Sequence, residues 1–409
     1  MIKKITEWFD IEKNFLLAWL GLALLLRLAF VIKTGSGGIS PDAGDWMNTA
    51  WSVATGQGFG GSWRPPGYVF YLAGVFLVFG KSVIAVKLLN ALLGTATALL
   101  AYHTAKLLFS QRTARITAAL ISFYPYFIAY TGDALSETFL TFMLAAAVYL
   151  IARTASKPSW GNIAVTGIFI GLTGLTKSTT LPFFMLACAW LWWRAGLRAG
   201  FMVGVFTLLT IAPWTLRNYF HYDKSYIMPV STPWYSLYGA SCDEALWPET
   251  LPELDTPPTD ELNALAIPKD WGYVASLPLP ERDKYCKEKA LAWLKANPEK
   301  FRLLVYKRFL HFWRLYPMMA WRWQKHLAMA TSGIYIPLCV IGLALAWRKF
   351  RGTSLIIALF AAYTAVHLFF VVTLRYRVPM DTFVIMMAAL ALDEALSRLK
   401  PGRAERAPL

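Results

Sequence analysis

Apolar runs recur along this chain, and many of them reach the ~17 to 25 residues that a helix needs to cross a bilayer. Candidate spans are Phe15–Ile32, Val83–Phe109, Arg115–Tyr130, Leu135–Ala152, Ile163–Leu175, Thr180–Trp193, Gly200–Trp214, Gly333–Ala346, Leu355–Thr373 and Val378–Ala395. The fold class this predicts is an all-α polytopic membrane protein with about ten transmembrane helices. The first run is too long for a signal-peptide core and no small-residue cleavage site follows it, so it reads as a retained span.

Charge orients the bundle. Basic residues fall in alternate loops: Lys3, Lys4 and Lys13; Arg112 and Arg115; Arg153 and Lys157; Arg194 and Arg198; Arg348, Lys349 and Arg351; Arg398, Lys400 and Arg403. Cytoplasmic loops are the basic ones, which predicts that both termini are cytoplasmic. The net charge of +16 then reflects topology rather than nucleic acid binding; there is no zinc-finger spacing, phosphate-binding loop or aromatic-interleaved basic helix.

Three polar pieces remain for the other side. Residues 33–81 form a first outer loop, re-entrant or interfacial, whose apolar stretch Gly67–Phe79 reads as a helix lying at the interface. Thr131–Gly132–Asp133 is a tight turn. Residues 217–331 form a long mixed loop, in which Lys300–Tyr316 reads as an amphipathic interfacial helix. The expected organisation is a catalytic membrane module over 1–216, the extracytoplasmic loop 217–331, and C-terminal helices with a tail over 332–409. Cys242 and Cys286 share the long loop; in an oxidising compartment they either pair or stay as thiols.

Several ionisable residues sit where lipid would disfavour them. Asp42 and Asp45 are one helical turn apart just beyond the first span. Asp133 and Glu137 are four apart where the fourth span enters the membrane. Arg27, Lys87, Lys177, Arg217, Arg375 and Arg377 recur at the same level, and Arg64 precedes two prolines that bend the chain. One cation could be snorkelling; together they form a positive ring facing carboxylates, suited to a phosphate at membrane depth.

These pieces resemble the C-superfamily lipid-linked-sugar glycosyltransferases, in particular the family-39-like members related to protein O-mannosyltransferases and the lipid A aminoarabinose transferase. DAGDW, GQGF, RPPGY, VKLLNALLG, YPYFIAYTGDALSETF, GLTGLTK, PWTLRN and RYRVPM follow in the family's order. The resemblance implies a sugar transferase drawing on a polyprenyl-phosphate donor, serving a glycan, lipid or protein acceptor, in a bacterial inner membrane and without organic cofactor. It implies Asp42 as catalytic base, four residues before Trp46, which stands where relatives usually have Tyr. Asp45 and Glu137 are its acidic partners, and Arg64, Lys177, Arg375, Arg377 and Arg217 face the donor phosphate. Arg27, Trp46, Asp133 and Lys87 support them. The acidic pair is spread to Asp42 and Asp45, and the C-terminal half is short; Mg²⁺ or Mn²⁺ use stays open.

The chemistry suits these residues. A polyprenyl phosphate is its own leaving group, so transfer needs cations for the developing phosphate charge and one base for an acceptor proton. A transporter or lipid flippase also employs intramembrane charge, as would an acidic docking scaffold. No internal repeat is visible, and the charges lie at the rim rather than the midplane.

Overall fold

A computed structural model describes residues 11–60, 64–222, 230, 233–246, 268–316, 322–347, 352–370 and 372–399. Among the described residues the chain is helical with no strand. In lipid, helices satisfy their own backbone, which makes them the natural element for these apolar runs. The helices are α1 (Glu12–Thr34), α2 (Pro41–Ala54), α3 (Pro66–Phe79), α4 (Val83–Leu108), α5 (Gln111–Ser122), α6 (Pro125–Ala129), α7 (Ser136–Ser156), α8 (Trp160–Thr176) and α9 (Leu181–Ala195). They continue as α10 (Leu197–His221), α11 (Trp234–Ala240), α12 (Trp271–Ser276), α13 (Leu279–Ala296), α14 (Pro298–Phe312), α15 (Arg322–Ala346), α16 (Thr353–Phe369) and α17 (Leu374–Leu399).

Every expected span but the third coincides with a helix, and five of them (α1, α4, α7, α10 and α15) are long and apolar enough to cross a bilayer unaided. Two expectations change. The third span is broken: Tyr124 is extended before Pro125, so the chain stops at α5 and restarts as α6. The eighth begins earlier, at Arg322, so the expected boundary after residue 331 falls inside a helix. Apolar side chains such as Leu17, Leu25, Met185, Leu208 and Val340 point outward, where lipid would meet them. Close approach marks the α8–α10 crossing: a Cβ on Gly167 of α8 would lie 2.6 Å from the Val203 carbonyl of α10, and small residues permit such helix contacts in membranes.

Cross-helix bonds sort the loops into two ends. At one end Lys106 pairs with Glu12 at 2.7 Å, Arg112 with Asp393 at 3.0 Å, and the Arg198 guanidinium sits 3.9 Å over Trp160. These contacts gather the described basic loops together. Lys3, Lys4, Arg348, Lys349, Arg351, Lys400 and Arg403 lie outside the described residues. The first loop, the α6–α7 turn, the α8–α9 turn and the α16–α17 turn meet at the other end, as the site contacts below show.

Much of the long loop, residues 247–267 included, lies outside the described residues. Its described parts are helical. Tyr238 and Tyr285 both donate to Asp270, at 2.7 and 2.6 Å, and Leu237, Val274, Cys286 and Ala290 pack behind them. Cys242 and Cys286 are both buried, unbridged thiols. The expected amphipathic helix is α14: Leu304, Arg308 and Phe312 are buried at four-residue spacing, while Leu303, Tyr306 and Phe309 are exposed. Arg308 donates to the Leu368 carbonyl at 3.0 Å and to Ala240, fixing α14 against the C-terminal end of α16, where a cation is favoured.

Candidate active site

The site is built on the start of α2. Ser40 caps that helix, its side chain accepting from Ala43 N at 3.4 Å, and Pro41 supplies the fixed φ of a first helical position. Asp133 in turn accepts from Ser40 N at 3.3 Å and from Ala134 N at 2.8 Å. Burial pushes the Asp133 pKa up, and those backbone donors hold part of the rise back. Lys87, fully buried, donates to the Gly35 and Gly37 carbonyls at 2.9 and 2.6 Å. Asn90 reaches the Asp133 carbonyl at 2.9 Å. Lys87 and Asp133 thus hold the loop that aims Asp42.

Asp42 and Asp45 lie one turn apart and meet the same guanidinium. Arg64 stands 3.5 Å from Asp42 and 2.5 Å from Asp45, its plane 4.4 Å over the buried Trp46 ring. Trp46 packs edge-on against Tyr68 at 5.3 Å. From the opposite side, Arg375 reaches Asp42 at 2.9 Å and Glu137 at 2.9 Å. Burial pulls the Asp42 carboxyl up, but Arg375 and Arg64 outweigh it and hold the pKa below the usual carboxylate range. Glu137 is 2% exposed, and its Oε2 has no hydrogen-bond partner among the described residues.

Lys177 lies in the turn after α8, its ammonium 4.6 Å over the Tyr376 ring. Of Arg64, Arg375 and Lys177, only Lys177 has no ion-pair partner among the described residues. Burial lowers its pKa to about 8, with Glu137 opposing and the Arg375 and Arg64 charges reinforcing the fall. The chain brings this turn against the RPPGY bend: a Cβ on Gly67 would lie 2.6 Å from Thr176 Oγ1 and 2.7 Å from its amide. Only glycine leaves room for that approach.

Two cations expected at the donor site, Arg377 and Arg217, and one expected to support it, Arg27, make their contacts elsewhere. Arg377 is wholly buried, pairs with Asp381 at 3.0 Å, and donates to the Phe312 and Arg314 carbonyls at 2.9 and 2.7 Å. Asp381 is also bonded by Tyr124 at 2.8 Å. Arg377 therefore pins the end of α14 instead of facing a ligand. Arg27, equally buried, donates to Ala23 and Ser122 carbonyls at 3.0 and 3.3 Å, closing the C-terminus of α5. Arg217 lies 5.1 Å from the Trp214 ring and bonds Asn218 at 3.1 Å, with no contact to the site carboxylates among the described residues.

The sequence reading missed Tyr376, Tyr68 and Tyr363. The Tyr68 and Tyr363 hydroxyls are buried without a hydrogen-bond partner among the described residues, both within electrostatic reach of Glu137. Apolar helix patterning hides a single hydroxyl, so only RPPGY and RYRVPM offered a signal. Asp42, Asp45 and Glu137 each face a guanidinium and Asp133 faces amides, and among the described residues no three His, Cys or acidic groups converge.

The described residues form an all-helical bundle with membrane-spanning helices and with carboxylates and cations interleaved at one rim. Residues 63–216 match the family described as dolichyl-phosphate-mannose-protein mannosyltransferase, so the likeness read from RPPGY through GLTGLTK is borne out. The oligosaccharyltransferase of Archaeoglobus fulgidus, in its apo form, shares the fold with a TM-score of 0.59 at 15% identity, over 96% of this chain and 52% of its own. Its AglB complex with an inhibitory peptide and a dolichol-phosphate gives 0.53 at 15% identity, over 97% and 53%. This chain thus spans about half the length of that enzyme. ArnT from Cupriavidus metallidurans, bound to undecaprenyl phosphate, aligns over 93% of this chain and 79% of its own at 14% identity, with a TM-score of 0.38 that is too low to carry weight. No protein of curated function matches the sequence.

Proposed function

We propose that this chain transfers a sugar from a polyprenyl-phosphate donor to an acceptor on the non-cytoplasmic side of the membrane, by a single displacement that inverts the anomeric carbon. One observation carries the reading: Asp42 is held between two guanidiniums, with an uncommitted lysine beside them. Lys177, Arg375 and Arg64 receive the donor phosphate and stabilise its charge as the bond from the anomeric carbon to the phosphate oxygen breaks. An acceptor hydroxyl or amine forms the new bond, its proton passes to Asp42, and polyprenyl phosphate leaves.

The ion pairs also time the base. Without donor, Arg375 and Arg64 keep Asp42 ionised and weakly basic. A phosphate that draws those cations away raises the carboxylate's proton affinity, so the base strengthens once the donor is seated. The buried Tyr68 and Tyr363 hydroxyls and Glu137 Oε2, without hydrogen-bond partners among the described residues, supply bonds that sugar hydroxyls would complete. The basic end of the bundle is cytoplasmic in this reading, with both termini inside.

A donor screen tests it. Purified protein in lipid should release sugar from one class of polyprenyl-phosphate sugar. Absence of transfer from every such donor, with substrate uptake by proteoliposomes instead, would replace this reading with a transporter.

A further inference from the structure

At the end of the bundle away from Asp42, a cavity of about 510 Å³ is lined by His103, Lys106 and Leu107 of α4, Gln111 of α5, and Tyr149 and Arg153 of α7. Beside it an apolar groove of about 650 Å³ runs along α1, lined by Leu16, Leu17, Leu20 and Leu24, with Glu12 and Lys13 at its end. Glu12 joins the two: it borders the groove, and its carboxylate receives Lys106 at 2.7 and 2.8 Å. From these observations we propose a specific site for an anionic glycerophospholipid of the surrounding leaflet. The phosphodiester sits at Lys106 and Arg153, and an acyl chain lies along the leucine groove of α1.

Charge decides the headgroup. Lys13, Lys106 and Arg153 line the two cavities with one carboxylate, Glu12, so the junction is net positive. Arg153 is exposed and has no ion-pair partner among the described residues, while the Lys106 side chain is partly exposed. A zwitterionic headgroup would bring its own cation into this field and gain little. Basic pockets between helices at a membrane surface select anionic lipid headgroups for this reason. Gln111 and Tyr149 add neutral donors.

Shape decides between a lipid and a free phosphate. A small anion would fill the basic cavity and leave the groove empty. An amphiphile fills both, and the groove runs along the face of α1 whose Leu17 and Leu25 are exposed. The site is separate from the catalytic rim: Lys87 and Lys106 are 19 positions apart on one helix, about 28 Å at 1.5 Å per residue.

The test uses the delipidated full chain in detergent, with phosphatidylglycerol or phosphatidylcholine added back and retained lipid counted by native mass spectrometry. Phosphatidylglycerol should be retained at least ~5-fold over phosphatidylcholine, and Arg153→Gln should remove most of that preference, on the scale of one cation near a charged headgroup. The paired change Glu12→Gln with Lys106→Gln should do the same without stranding a charge. Leu20→Trp fills the groove while keeping every cation, and should lower retention of both lipids. For the unaltered chain, retention should fall as salt rises. Equal retention of the two lipids, or unchanged preference in folded Arg153→Gln, overturns the proposal. Displacement of phosphatidylglycerol by equimolar glycerol 1-phosphate would make this a free-anion site and overturn it equally.

Discussion

Arg375 lies 2.9 Å from Asp42 across 333 positions of sequence, and the same guanidinium faces Glu137 at 2.9 Å. Three elements that share no local sequence, α2, α7 and α17, therefore meet at one cation. The charge of the first loop is set by the last helix, which links folding of the C-terminal part to the state of the candidate base.

Asp42→Asn keeps the side chain's size and removes its basicity. Turnover should fall by at least ~100-fold, the usual scale for a positioned base, with donor binding retained. Single-turnover kinetics beside equilibrium donor binding checks this. Near-normal transfer by a folded Asp42→Asn chain would assign the proton to Asp45 or Glu137.

Lys177→Ala should weaken donor binding and turnover together, because a phosphate contact exists in the ground state and strengthens in the transition state. The lysine also sets a pH dependence. Its pKa is lowered to about 8, so its charge is complete well below that value and is lost as pH rises through it. Donor affinity of the free protein should therefore decline above pH ~8, by up to tenfold per unit for one linked proton. Lys177→Arg should flatten that decline, and a flat wild-type profile to pH 10 would count against the contact.

Removing one partner from the Arg375–Glu137 pair should be costly. Glu137 is 2% exposed, and stranding a buried charge costs about 3 to 5 kcal/mol. Arg375→Gln should lower the unfolding midpoint, and adding Glu137→Gln should recover part of it without restoring transfer. Thermal unfolding of the two variants in one detergent measures the difference; no recovery in the double variant would mean that the pair is not coupled.

Arg377→Gln should behave differently from Arg375→Gln. It frees the Phe312 and Arg314 carbonyls and leaves Asp381 buried. Hydrogen exchange should accelerate over residues 298–314, while the donor dissociation constant changes less than about twofold, as for a residue remote from the ligand. A large loss of donor affinity with unchanged exchange would return Arg377 to the donor site.

Topology has its own test. In a chain whose native cysteines are replaced by alanine, Glu281→Cys on α13 should react with an impermeant maleimide in intact cells, and Lys157→Cys only after the membrane is opened. The reverse pattern would invert the bundle and move the candidate site to the cytoplasmic side.

Much of this molecule was legible in one dimension. Apolar run length gave the helices, because crossing lipid imposes a length and a composition on each segment. Alternating Lys and Arg predicted which loops share an end, and the Glu12–Lys106, Arg112–Asp393 and Arg198–Trp160 contacts gather those loops as predicted. The break before Pro125 was readable too, since a residue preceding proline is steered out of the helical region, yet the apolar run continued across it and concealed the stop.

Which cations face the carboxylates was a different kind of question. Arg375 and Arg377 look equivalent in RYRVPM, but two positions on a helix are about 200° apart, so one meets Asp42 and the other is buried against Asp381 and α14. Arg27 and Lys87 likewise shared the predicted depth and turned inward to cap backbone carbonyls. Sequence by itself determined that this chain enters the membrane many times, which loops gather, and which motifs carry charge, because those properties depend on local composition. Only the tertiary structure decided that Asp42, Glu137 and Arg375 form one unit and that Lys177 is left uncommitted beside them, because those relations depend on how distant helices rotate and pack against one another.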